Sequence, residues 1–96
     1  MTAELHWSEA ALAQLAAIAE HIGATSPIYA ERVVDRLTLR CEQAQHLPLS
    51  GRSVPEYDRQ DVREFIEPPY RIIYRVNPDR ITVLAVVHGR QNLPGG

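Results

Sequence analysis

The sequence predicts an α+β domain of order β-α-α-β-β-β, an antiparallel sheet covered on one face by an α-helical hairpin. Three observations lead there. Residues 8–47 carry apolar side chains at helical spacing, broken only at Gly23 to Ser26. Residues 62–88 form three consecutive extended segments separated by Pro68-Pro69 and Asn77-Pro78-Asp79. The middle segment, YRIIYRV at 70–76, alternates with period two in β-branched and aromatic residues, which is a strand pattern.

Each element follows from local chemistry. Residues 2–7, TAELHW, alternate weakly and read as an opening strand at the sheet's edge. Ser8 is a good N-cap, Glu9 suits the first turn, and Trp7 with Leu12 would form a hydrophobic staple. Leu12, Leu15, Ala16, Ile18, Ala19 and Ile22 keep helical spacing up to Gly23. A second helix starts at the Ser26 cap with Pro27 in its first position, and Pro48 ends it. Its apolar stripe is Ala30, Val33, Val34, Leu37, Cys41, Ala44 and Leu47. Residues 48–61, rich in proline and polar groups, read as a long loop. Val62, Glu64 and Ile66 share one face of the next strand, with Arg63, Phe65 and Glu67 on the other. The near-continuous apolar run 80–88 fits a strand buried on both faces.

On the central strand, Tyr70, Ile72, Tyr74 and Val76 face the helices in this reading. Arg71, Ile73 and Arg75 face the other way, on an uncovered surface open to water or an anionic partner. Arg63, on the neighbouring strand, would extend that surface, whereas the parity of Glu64 turns it away.

Composition narrows the function. At 96 residues the chain is one domain, 1–96, with room for a single modest core. One cysteine, Cys41, excludes an internal disulfide framework, and it sits on the apolar helix stripe. His6, His21, His46 and His88 lack ligand spacing, so neither a metal nor another cofactor is expected. No apolar run reaches the roughly 20 residues of a membrane span, and no basic-then-apolar leader opens the chain; a cytoplasmic protein without membrane contact is expected. Three arginines face six acids in residues 1–51, and seven face six in 52–96. That balance is too weak to hold nucleic acid by bulk charge alone. All ten basic residues are arginine, which suits bidentate contact with carboxylate or phosphate; a GC-rich genome yields the same bias.

Read together, Trp7-Ser8, the helical hairpin, Pro48-x-x-Gly51-Arg52, Val62-Arg63-Glu64, YRIIYRV and the ending LAVVHGRQNLP at 84–94 resemble the ParE/RelE superfamily of toxins from bacterial type II toxin–antitoxin systems. The resemblance covers almost the whole chain. It implies a toxin wrapped and neutralised by the C-terminal segment of a cognate antitoxin, in a plasmid-stabilisation type of module. Two activities occur in the superfamily. RelE-like members cut mRNA on the ribosome, without metal, by attack of a 2′-hydroxyl on the adjacent phosphate; ParE-like members poison DNA gyrase.

An RNA-cleaving site needs a base, an acid and cations for the phosphate. Resemblance to RelE-like nucleases assigns Arg71 and Arg90 to the phosphate, and His88 is the candidate acid or base. Against this, RelE-like nucleases usually carry a C-terminal helix or tail that supplies a tyrosine and further basic residues, whereas here no tyrosine follows Tyr74 and there is no lysine. The ParE-like reading is therefore favoured, with a RelE-like nuclease and a non-toxic partner-binding homologue as the alternatives. It assigns Arg63, Arg71, Ile73, Arg75 and Arg90 to antitoxin or target binding, by charge-assisted hydrogen bonds around an apolar anchor.

Overall fold

A computed structural model describes residues 3–89. Strand β1 (Glu4–Trp7) leads into helix α1 (Glu9–Gly23), followed by helix α2 (Pro27–His46). Strands β2 (Arg52–Ser53), β3 (Val62–Glu67), β4 (Tyr70–Val76) and β5 (Arg80–His88) complete the chain. The sheet order is β1-β5-β4-β3-β2. The three long strands form the expected antiparallel meander. The edge strand β1 runs parallel to β5, so the sheet is mixed.

The helices start where the caps require. The Ser8 hydroxyl accepts from the Ala11 N–H at 3.0 Å and donates to the Leu84 carbonyl at 3.1 Å, tying the start of α1 to β5. The Ser26 hydroxyl accepts from the Tyr29 N–H, with Pro27 in the first turn of α2. On α2 the buried stripe is Ala30, Val33, Leu37, Cys41 and Ala44, as its period predicts, while Leu47 is exposed past the helix end. Burial pushes the Cys41 thiol up to about 12, which fits an inert core residue. On α1 the expected spacing holds from Leu15 onward, and the stripe begins at Ala11 in place of Leu12. Ala11 is fully buried, Leu15, Ile18 and Ile22 lie against the core, and Leu12 is exposed.

The main core lies between the hairpin and one sheet face, where Ile72 and Tyr74 meet Phe65, Ile81, Val83 and Val86. Full burial of a side chain such as Leu37 is worth about 1.5–3 kcal/mol. Strand β5 serves both faces because its register with β4 shifts between Ile73 and Tyr74. Ile81 and Val83 precede the shift and Val86 follows it, yet all three reach the helix side.

The second sheet face is where expectation and structure part. Val62, Ile73 and Val87 are buried there beneath Val54, with Tyr57, Leu84 and Ala85 packed around them. The segment between β2 and β3 folds back over the sheet and makes a second, smaller core. The face is closed.

Candidate functional site

Beneath that segment lies an ionic cluster. Arg71 is 7% exposed and its Nε donates to Glu64 Oε1 at 2.7 Å. Its two terminal nitrogens donate to both oxygens of Glu56, Nη1 to Oε2 at 2.7 Å and Nη2 to Oε1 at 2.9 Å. The Arg52 Nε donates to the remaining Glu64 oxygen at 2.6 Å. Glu64 thus joins two arginines while its side chain is 0% exposed. Two cations and two carboxylates alternate in a row that runs from the half-open Arg52 inward and out again to Glu56.

The register explains this arrangement. Strands β3 and β4 pair outward from the Pro68-Pro69 turn, with Glu67 opposite Tyr70 and Glu64 opposite Ile73. Residues directly opposite in an antiparallel pair share a face. Glu64 therefore belongs with Arg71 and Ile73, not away from them. The same register puts Arg63 opposite Tyr74, on the helix side, where its Nη1 reaches the Gly51 carbonyl at 3.2 Å. Arg63 does not extend the arginine face. Ile73 is 1% exposed and Arg71 is ion-paired, so neither stands on an open surface as alternation alone implies. Arg75 remains partly exposed, its Nε 4.0 Å from Asp61 Oδ2. His88 is exposed beside Tyr70, ring centroids 6.2 Å apart, and lies opposite it in the register, on the helix-side parity. Arg90 lies outside the described residues.

A cleft of about 500 Å³ opens beside the cluster at the turn end of the sheet. Arg52, Glu56 and Arg71 border it from one side and His88 and Tyr70 from the other, with Ile66 and the prolines as apolar wall. Sequence reasoning missed Glu56, Arg52 and the role of Glu64. Counting back from the Pro68-Pro69 turn would have found Glu64; nothing in the pattern of residues 48–61 reveals where Glu56 lands.

The Arg71 guanidinium, hydrogen-bonded to Glu56, holds that carboxyl at about 2, well below the usual carboxylate range. In turn Arg71 is held even more firmly protonated, chiefly by Glu56. The folded-state value of Glu56 is lower than its unfolded one, so its ionised form stabilises the fold above the ordinary value near 4.5. That contribution is lost as pH falls towards 2. Denaturant midpoints measured from about pH 5 down to about 2 are expected to fall less steeply for Glu56→Gln than for the parent chain.

Two helices thus pack on one face of a mixed five-stranded sheet, with the arginine-bearing β4 at its middle. The family model for the ParE toxin of the type II toxin–antitoxin system, parDE, matches residues 5–93. Toxin RelE2 of Caulobacter vibrioides is 33% identical over 86 residues, which cover 90% of this chain and 94% of that protein. A solved chain of the chromosomal ParDE toxin–antitoxin system from P. aeruginosa shares the fold with a TM-score of 0.75 at 24% identity. The match covers 91% of this chain and 96% of that one. The chain belongs to the ParE toxin family of type II toxin–antitoxin systems. Membership implies a cognate antitoxin as its partner. Among the described residues, no helix is long and apolar enough to cross a membrane.

Proposed function

We propose that this toxin is ParE-like and acts by binding DNA gyrase, not by cutting RNA. The observation that carries the reading is the neutralised Arg71. A pentacovalent phosphate is stabilised by uncompensated, preorganised positive charge. Here Arg71 spends its Nε and both terminal nitrogens on Glu64 and Glu56, and the cluster holds as many carboxylates as guanidiniums. Both carboxylates beside Arg71 are engaged: each oxygen of Glu64 accepts from an arginine, and both oxygens of Glu56 accept from Arg71. Tyr74 is no substitute acid, because its hydroxyl is bound to the Pro48 carbonyl and the Gly51 N–H in the core. Arg63 and Arg75, the expected contact residues left partly exposed among the described residues, are proposed to meet the acidic stretches of the antitoxin.

A second reading, a ribosome-dependent mRNA endonuclease, is favoured by two observations. The cleft brings His88 and Arg71 to a common border, and the relative from C. vibrioides is named RelE2. Purified toxin added to gyrase supercoiling reactions and, separately, to a ribosome-bound message separates the two. Inhibited supercoiling with an intact message is the expected result, and cleavage of the message would overturn it. Induction in bacteria without antitoxin is expected to arrest growth under either reading.

A further inference from the structure

Helix α2 gives one stripe to the core and leaves the opposite one bare. On the outward side Ile28, Arg32, Asp35 and Leu39 follow one another at spacings of four, three and four residues, so they form a single row down the helix. All four are exposed, Ile28 at 68% and Leu39 at 62%. Large aliphatic side chains left this open beside one another mark contact surfaces more often than solvated ones. Between them, Arg32 and Asp35 take part in no ion pair among the described residues. The row reads apolar, basic, acidic, apolar. Turned end for end it presents acid to base and apolar to apolar, so the row is complementary to itself.

We infer that this row is the seam of a homodimer, in which α2 packs antiparallel against α2 of a second copy about a two-fold axis level with Val33 and Val34. A two-fold contact uses the same patch on both copies, so each pairing occurs twice. Here Ile28 meets the partner's Leu39, and Arg32 meets the partner's Asp35. Two ion pairs make the centre and an apolar layer closes each end. Alternation of three and four residues is the spacing by which two helices mesh. On one flank Arg36 comes beside the partner's Tyr29, a half-exposed ring that suits a guanidinium over its face. The parallel arrangement would set Arg32 against the partner's Arg32 and Asp35 against the partner's Asp35, so charge selects the antiparallel one. Two single helices of this length bury less than the roughly 1,200 Å² of a standard interface, so the dimer is weak and forms reversibly with concentration. Its hairpins lie at the middle and its sheets outside. The ionic cluster of Arg71, on the sheet face away from the helices, therefore stays open in both copies. The seam holds whichever target the toxin strikes.

Sedimentation equilibrium of the whole chain, from micromolar to near-millimolar concentration, reads the association. Wild type is expected to pass from monomer towards dimer across that range. Leu39→Glu sets a carboxylate against the partner's Ile28 at both ends and is expected to weaken the dimer about tenfold or more. Because Leu39 is exposed, that variant is expected to keep the circular dichroism spectrum and Tm of the monomer. Arg32→Asp and Asp35→Arg each place like charges in both central layers, and each is expected to weaken the dimer about tenfold or more. An equimolar mixture of these two variants brings opposite charges together again. It is expected to associate more tightly than either variant alone, as is the chain carrying both substitutions. Leu12→Glu, at an exposed leucine of α1 away from the seam, is expected to change nothing. A wild type that stays monomeric throughout overturns the proposal, and loss of antitoxin binding by Leu39→Glu would then give the row to the antitoxin. The proposal is also overturned if the mixture associates no better than its components, or if Leu12→Glu weakens the dimer as much as Leu39→Glu does.

Discussion

Replacing Arg71 with alanine is expected to cost the fold about 3–5 kcal/mol, the usual penalty for leaving one partner of a buried ion pair behind. The stranded partner is Glu64, whose side chain is 0% exposed and would keep only Arg52. For a domain of this size the loss corresponds to a fall in Tm on the order of 15–30 °C. Thermal unfolding followed by circular dichroism reads it directly. A fall of only a few degrees would mean that Arg71 and Glu64 are far better solvated than the structure has them. The double substitution Arg71→Met with Glu64→Leu removes both charges and keeps the volume, so it is expected to recover most of the loss. This matters for function. A harmless Arg71→Ala toxin shows first that the protein no longer folds, and says nothing of phosphate chemistry. Arg71→Lys is the more useful probe, because it retains the charge and loses the two-pronged fork.

That expectation inverts what alternation alone implies for the same residue. The YRIIYRV strand, its ends at prolines and its helix-facing set were all legible, because period two and chain breakers act locally. The helix limits were legible through Ser8, Ser26 and Pro27 for the same reason. The closed second face was not. Val54 and Glu56 reach it only through the path of a loop that has no period, and a strand as short as Arg52–Ser53 leaves no pattern to detect. The shift in β5 was equally hidden, since in a run as apolar as ITVLAVV either parity looks buried. The orientation of Glu64 was within reach. It required counting register through the β3–β4 hairpin instead of assigning parity strand by strand.

The second large effect is expected at Gly51, where α2's exit loop meets the sheet. A Cβ there would lie 2.5 Å from the Tyr74 hydroxyl and 2.8 Å from the backbone carbonyl of Glu64. Real Cβ atoms do not come that close, and the carbonyl cannot turn aside as a flexible side chain would. Overpacking of this kind costs about 1–3 kcal/mol. Displacing Tyr74 adds to it, since its hydroxyl accepts from the buried Gly51 N–H at 2.9 Å and donates to the Pro48 carbonyl at 2.8 Å. A buried donor left without a partner costs a further 1–3 kcal/mol, roughly. Gly51→Ala is therefore expected to lose on the order of 3 kcal/mol in denaturant titrations. The Tyr74→Phe background distinguishes the two sources. There the hydroxyl is already gone, so Gly51→Ala should cost less, with the difference equal to the coupling between the two residues. Additive losses would place the clash on the Glu64 carbonyl and the position-74 ring carbon at 2.9 Å, both of which the Phe background keeps. In that case β2 is pushed from β3, Arg52 leaves Glu64, and Gly51 holds the outer end of the ionic row as well as the loop.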